Sequence, residues 1–172
     1  MAKKSPQNGD VSFFENKRKC LTIGTVTLLK NSSGDRRIKI TATINLTSDG
    51  EGKPDFVSSM FDAIAKEQSA ITLLKSSVEL EGTAVQFYPT DKNKTPSAKA
   101  AAGTLRSFTM TTKKTRGKDL ADVMLNFSIY VPASKTLWDW GYELQGSETF
   151  AEFAPTQMSF GDAAEPEEAT EE

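Results

Sequence analysis

Histidine is absent from this 172-residue chain, and cysteine occurs once, as Cys20. Without histidine there is no Ser-His-Asp or Cys-His arrangement, no imidazole base and no histidine metal ligand. A single cysteine excludes an internal disulfide and a cysteine-based zinc site. Cys20 stands beside Leu21 and Ile23 at the start of a strand-like run, the setting of a buried, inert thiol. No apolar run approaches the length of a membrane span, so no membrane association is expected. The opening "MAKKSPQNGD" has two lysines but no apolar stretch behind them, which speaks against a secretion signal and for a cytoplasmic location. Glycines are too few in register for a phosphate-binding or dinucleotide loop. Carboxylates gather in turns and at the C-terminal end instead of pairing inside apolar strands. A binder or structural part is therefore expected, with no enzymatic activity, no cofactor and no metal.

What is present is a strong asymmetry of charge. The formal net charge is only −2. Yet residues 17–118 hold 18 Lys and Arg against 9 Asp and Glu, whereas residues 119–172 hold one lysine against 12 carboxylates. Six of those carboxylates, Asp162, Glu165, Glu167, Glu168, Glu171 and Glu172, fall in the closing "GDAAEPEEATEE". A basic body with an acidic appendage suggests nucleic-acid binding. Basic residues crowd three segments with turn or loop chemistry, "KNSSGDRRIK" (30–39), "TDKNKTPSAK" (90–99) and "TKKTRGKD" (112–119). Lysines kept on the surface for solubility remain the plain alternative for these clusters.

Periodicity favours strands. In "RIKITATINL" (37–46), Ile38, Ile40, Ala42, Ile44 and Leu46 share one face and Arg37, Lys39, Thr41 and Thr43 the other. "NSSGD" joins this segment to "CLTIGTVTLLK" (20–30) as an antiparallel hairpin. Phe56, Met60 and Ile64 at four-residue spacing predict one short helix over "DFVSSMFDAIAKEQ". Further strands are expected over 76–89, bent at Gly82, over 104–114, and over 121–132 with Val123, Leu125, Phe127, Ile129 and Val131 inward. The aromatic-rich segment 133–160 reads as irregular. The expected fold is mainly β: a small oligonucleotide-binding (OB)-like barrel or a compact antiparallel sandwich of about five strands. Residues 13–160 form one nucleic-acid-binding domain in this reading. Residues 1–12 are a disordered arm and residues 161–172 a disordered acidic tail.

Single-stranded nucleic acid is held by cations along its phosphates and by aromatic faces under its bases. Arg36, Arg37 and Lys39 begin a strand whose other face is apolar, which sends Arg37 and Lys39 outward. Lys92, Lys94 and Lys99 lie in a loop of small polar residues suited to closing over a strand. Arg106, Phe108 and Met110 fall on one face of 104–114, with Lys113, Lys114, Arg116 and Lys118 at the following turn. Tyr130 shares a polar face with Asn126 and Ser128 and is a stacking candidate, as is Tyr88 at a strand end. For the aromatics, core packing is the competing assignment. Trp138 and Trp140, next to Asp139 and Glu143, suit core anchoring or a protein interface better than stacking.

A β-rich basic body, aromatics near it and an acidic C-terminal tail resemble the plan of single-stranded DNA-binding proteins, particularly small phage replication proteins. The resemblance implies single-stranded DNA as ligand, replication or recombination proteins as partners of the tail, and residence in a bacterial host's cytoplasm. It also implies a tail that competes with DNA for the basic surface. The chain departs from that plan by ending Glu171-Glu172, where such tails often close on an aromatic or a Pro-Phe pair. Two other functions fit the same composition: a β-rich structural or virion assembly protein, and an adaptor or inhibitor whose tail mimics nucleic acid. An oligomer is compatible with each.

Overall fold

The structure, a computed structural model, describes residues 18–47, 74–75, 78–113, 117 and 122–155. Its strands in chain order are β1 (Lys19–Lys30), β2 (Arg36–Asn45), β3 (Leu74–Lys75), β4 (Thr83–Tyr88), β5 (Ala98–Ala100), β6 (Thr104–Lys113), β7 (Asp122–Pro132) and β8 (Glu148–Pro155). One helix among the described residues, α1 (Lys135–Glu143), lies between β7 and β8. The strands form one antiparallel sheet in the order β3-β6-β7-β2-β1-β8-β4-β5, with β3 a two-residue stub at one edge.

The alternation in 37–46 dictates the centre of this sheet. Ile38, Ile40, Ala42 and Ile44 are buried, and β2 pairs with β7 without interruption from Arg37–Pro132 to Asn45–Met124. That register places Leu125, Phe127, Ile129 and Val131 on the same buried side. Leu21, Ile23, Val85, Phe87, Leu105, Phe108, Met110, Ala151 and Phe153 complete one contiguous core. Phe127 sits at its middle, with ring centroids 5.5 Å from Phe108 and 6.2 Å from Phe153.

The sheet is mainly β and antiparallel as expected, but its ladder does not return on itself and its strands outnumber the expected five. Two strands come from segments that read as loop or irregular. β5 is three residues long and exists by pairing with β4, and β8 has apolar groups on both faces, which hides its alternation. An isolated bridge between Leu80 and Leu105, and a bond from Thr83 N to Gly103 O of 2.9 Å, bring the approach to β4 against β6. Gly82 makes the expected bend there at φ +63°. The helix predicted at 55–68, both terminal segments and the start of the strand at 76–77 lie outside the described residues.

Helix α1 corrects the irregular reading of "LWDWGYE". Ser134 caps it, its hydroxyl accepting from Leu137 N at 3.2 Å. Leu137 and Gly141, four residues apart, form the buried edge, and Gly141 lets the helix lie on Val26 of β1. Trp140 packs on Phe87 with centroids 4.2 Å apart. Cys20 is a second correction. Inward positions of β1 are taken by Lys19, Leu21 and Ile23, so the thiol is exposed, opposite Phe150. Desolvation by its neighbours and then Glu148 push its pKa up, which disfavours the thiolate. No helix among the described residues is long and apolar enough to cross a membrane.

Gly103 occupies the close approach of three backbone segments. A Cβ there would meet the Tyr130 carbonyl at 3.0 Å and the Thr83 carbonyl at 3.3 Å. Neither oxygen can rotate away, so Gly103→Ala is expected to lower unfolding free energy by about 1–3 kcal/mol. Urea denaturation monitored by tryptophan fluorescence measures this, and unchanged stability would contradict the close packing.

Candidate nucleic-acid interface

With the apolar side of β2, β7 and β6 committed to the core, the opposite side projects a regular polar face. β2 supplies Arg37, Lys39, Thr41 and Thr43, β7 supplies Asn126, Ser128 and Tyr130, and β6 supplies Thr104, Arg106, Thr109 and Thr111. The register sets these in rows across the strands: Lys39–Tyr130–Thr104, Thr41–Ser128–Arg106 and Thr43–Asn126–Thr109.

A bulge in β6 decides the membership of this face. The register slips between Arg106 and Thr109, and Ser107 adopts φ 61°, a left-handed conformation that non-glycine residues reach only at a cost. The inserted residue sends Arg106 outward while Phe108 and Met110 turn inward with no exposed surface. In a regular strand Arg106 and Phe108 would share a side, as the sequence implies; the bulge separates them. Phe108 is thus a core residue with no free face for a base.

Arg106 and Lys39 converge on Tyr130. The Arg106 guanidinium lies over the ring, 3.9 Å from its centroid, and the Lys39 ammonium is 5.8 Å from it. Partial burial acts to raise the phenol's pKa. Arg106, through hydrogen bonding and charge, and then Lys39 outweigh that effect and hold the pKa below its ordinary value. Beside this trio the face is ordered by hydroxyls and an amide. Thr43 Oγ1 donates to Asn126 Oδ1 at 2.8 Å, Asn126 Nδ2 donates to Thr111 Oγ1 at 3.1 Å, and Thr25 N donates to Thr41 Oγ1 at 2.7 Å.

Charge on the sheet is divided by strand. β6, β7, β2 and β1 carry Lys19, Lys30, Arg36, Arg37, Lys39, Arg106 and Lys113 against the single carboxylate Asp122. β8 carries Glu148 and Glu152 with no basic residue, and α1 adds Asp139 and Glu143 beside Lys135. By the alternation of β7, Asp122 lies on the same side as Asn126, Ser128 and Tyr130, but beyond the three rows and opposite Lys113; the rows themselves hold cations, hydroxyls and an amide without a carboxylate. Arg36 and Arg37 are exposed beside the turn at 31–35; Arg37 continues this face, whereas Arg36 lies on the side of Ile38.

The remaining expected residues separate into three groups. Lys92, Lys94 and Lys99 are exposed but belong to β5 and the loop before it, in the half of the sheet that includes β8 and β4. Tyr88 is only 4 % exposed. The Arg18 guanidinium lies 3.5 Å above its centroid, and its hydroxyl is shared between Gln86 Oε1 at 2.7 Å and Glu152 Oε2 at 3.1 Å. Burial first, and Glu152 second, push the Tyr88 phenol's pKa up. It is a packed tyrosine, not a stacking platform. Lys113 ends β6, opposite Asp122, while Lys114, Arg116, Lys118 and the tail carboxylates lie outside the described residues. Trp138 and Trp140 both pack against the core. Sequence reasoning missed Arg18 altogether; its one signal was a basic residue just ahead of an alternating strand.

Comparison of the chain with protein-family models, with curated proteins and with solved structures found no match. Its functional reading rests on the geometry above.

The two tyrosines make opposite acid–base expectations. Tyr130 should release its proton at a lower pH than an ordinary phenol, and Tyr88 at a higher one. Because the Tyr130 pKa is depressed on folding, its contribution to stability appears as pH rises through the folded value and is absent below it. In a phenolate-absorbance titration, Tyr130→Phe should remove the earliest part of the transition and Arg106→Ala should move it upward. An unchanged first transition in both variants would refute the electrostatic coupling.

Proposed function

We propose that this chain is a non-sequence-specific single-stranded DNA-binding protein of replication or recombination. One observation carries the proposal: the three cross-strand rows of β2, β7 and β6, which hold no carboxylate, combine Lys39 and Arg106 with Tyr130 in a single cluster. Lys39, Arg37 and Arg106 meet phosphates, while the flat guanidinium–phenol stack offers a surface on which a base can lie. Such a surface reads no base edges, because every base has a π-face. The one helix among the described residues packs against β1 and β5 and not on this face, which argues against duplex sequence reading.

The reading carries two finer elements. The sheet curls as an OB-like barrel, supported by the Leu80–Leu105 bridge that joins the approach to β4 with β6. The acidic tail 161–172 competes with DNA for the cationic face and contacts partner proteins, supported by its six carboxylates against the basic strands. A tethered polyanion acts at high effective concentration, so it excludes weak ligands until phosphates displace it.

A β-rich assembly protein is the second reading, favoured by Leu28 and Leu29, 45 % and 37 % exposed near the hairpin tip. Light scattering that shows a large ordered assembly without DNA, with no oligonucleotide affinity, would select it.

Fluorescence polarisation with a labelled oligothymidylate tests the main proposal. Binding should weaken steeply with salt, since each phosphate contact to a single strand contributes about −0.7 to the slope of log affinity against log salt. Lys39→Ala with Arg106→Ala should cost at least about tenfold in affinity and flatten that slope by about 1.4. Tyr130→Ala should cost about 1–3 kcal/mol, the usual worth of one stacked base. Absence of binding at low salt would end the proposal.

A further inference from the structure

Arg18 sits immediately before β1, and its side chain is more heavily engaged than that of any cation on the proposed DNA face. Nε donates to Glu152 Oε1 at 2.8 Å, and Nη1 donates to the backbone carbonyls of Asp91 at 2.7 Å and Thr90 at 3.2 Å. The guanidinium plane rests on Tyr88. One side chain thus ties β8, the end of β4 and the loop that follows β4. Its charge is matched by Glu152, which raises the Arg18 pKa mainly through their hydrogen bond. The cluster therefore adds little net charge of its own.

The loop it grips, residues 89–97, is held at its far end too. Ser97 N donates to Phe87 O at 2.8 Å. Near the Arg18 end, the Thr90 hydroxyl bonds the Asn93 side chain and accepts from Lys92 N at 3.3 Å. Between these fixed ends Lys92 and Lys94 are exposed, opposed within the loop only by Asp91. The Thr90 and Asp91 carbonyls are spent on Arg18, so the backbone that carries Lys92 and Lys94 is held in place.

We propose that Arg18 is a positioning residue that sets the 89–97 loop as a second phosphate-contacting element, with Lys92 and Lys94 as its contacts. The proposal rests on the DNA-binding reading above and adds to it a second element in the other half of the sheet. An arginine is required: its fork serves a carboxylate and two carbonyls at once while its plane stacks, and a lysine ammonium cannot reproduce that.

The test compares oligothymidylate affinity over a salt series for four proteins: the full-length chain, Arg18→Lys, Lys92→Ala with Lys94→Ala, and all three changes together. The exposed lysine pair can be removed without threat to folding. Its removal should weaken binding several-fold and reduce the salt slope by about 1.4. Arg18→Lys keeps the charge, so a purely electrostatic or purely structural role predicts an unchanged slope, whereas positioning predicts a reduced one. The triple variant should then lose little beyond the lysine pair, because the changes act through one element. Hydrogen exchange in Arg18→Lys should rise over 89–97 while β2 and β7 stay protected. Should Arg18→Lys loosen the whole fold, Glu152→Ala removes the acceptor of Arg18 Nε with Arg18 intact and must raise hydrogen exchange over 89–97; unchanged exchange there would overturn the proposal. A wild-type slope in the lysine-pair variant, or full additivity in the triple variant, would overturn the proposal. Loss of binding in Lys39→Ala with Arg106→Ala alongside wild-type behaviour in the Arg18 and loop variants would remove this inference alone. No binding by any of the proteins would remove the DNA reading and this inference together.

Discussion

The pairing of β2 with β7 is the constraint on which the other features depend. Nine consecutive residue pairs hold these strands without a slip. Since side chains alternate, a shift of one residue would carry the row of isoleucines to the solvent and Lys39 and Tyr130 into the core. The burial of Ile38, Ile40, Ala42 and Ile44 against Leu125, Phe127 and Ile129 therefore fixes both faces at once. Hydrophobic burial, at roughly 25 cal/mol per Å² of apolar surface, dominates that choice, and the polar face inherits its geometry from it.

The third strand of the face needs a different device. β6 carries its cation and its core aromatic two positions apart, on what would be one side of a regular strand. The bulge at Ser107 resolves the conflict by spending one residue in a left-handed conformation. The cost is of order 1–2 kcal/mol for a non-glycine residue, small beside about 3–5 kcal/mol for a buried phenylalanine removed from a core. Packing of Phe108 wins, and Arg106 is delivered onto Tyr130 as a consequence. The cation–aromatic cluster is thus a product of core packing, which makes it rigid before any ligand arrives.

Much of this was legible in the residues themselves. The alternations in 37–46 and 121–132 gave β2, β7 and their outward Lys39 and Tyr130 directly. Glycine at 82 announced its bend. Other features depend on contacts that no local pattern encodes. β5 exists because β4 offers an edge, and β8 has Phe150 and Phe153 on opposite faces, so its period is masked. Helix α1 presents only Leu137 and Gly141 as a buried edge and surrounds them with aromatics that read equally well as a strand. A bulge leaves no sequence signal when its left-handed residue is serine, so the alternation alone puts Phe108 on the side of Arg106. The cover of Tyr88, Arg18, lies 70 positions away in the chain, beyond the reach of any local pattern.

On the proposed function, a single strand of DNA lies along the β2–β7–β6 polar face. Chemical-shift mapping during titration with a short oligothymidylate tests it most directly. The largest perturbations should fall on Lys39, Thr41, Arg106, Ser128 and Tyr130, with a second, smaller set in residues 89–97. Perturbations confined to α1 and β8, or none at saturating oligonucleotide in low salt, would contradict it.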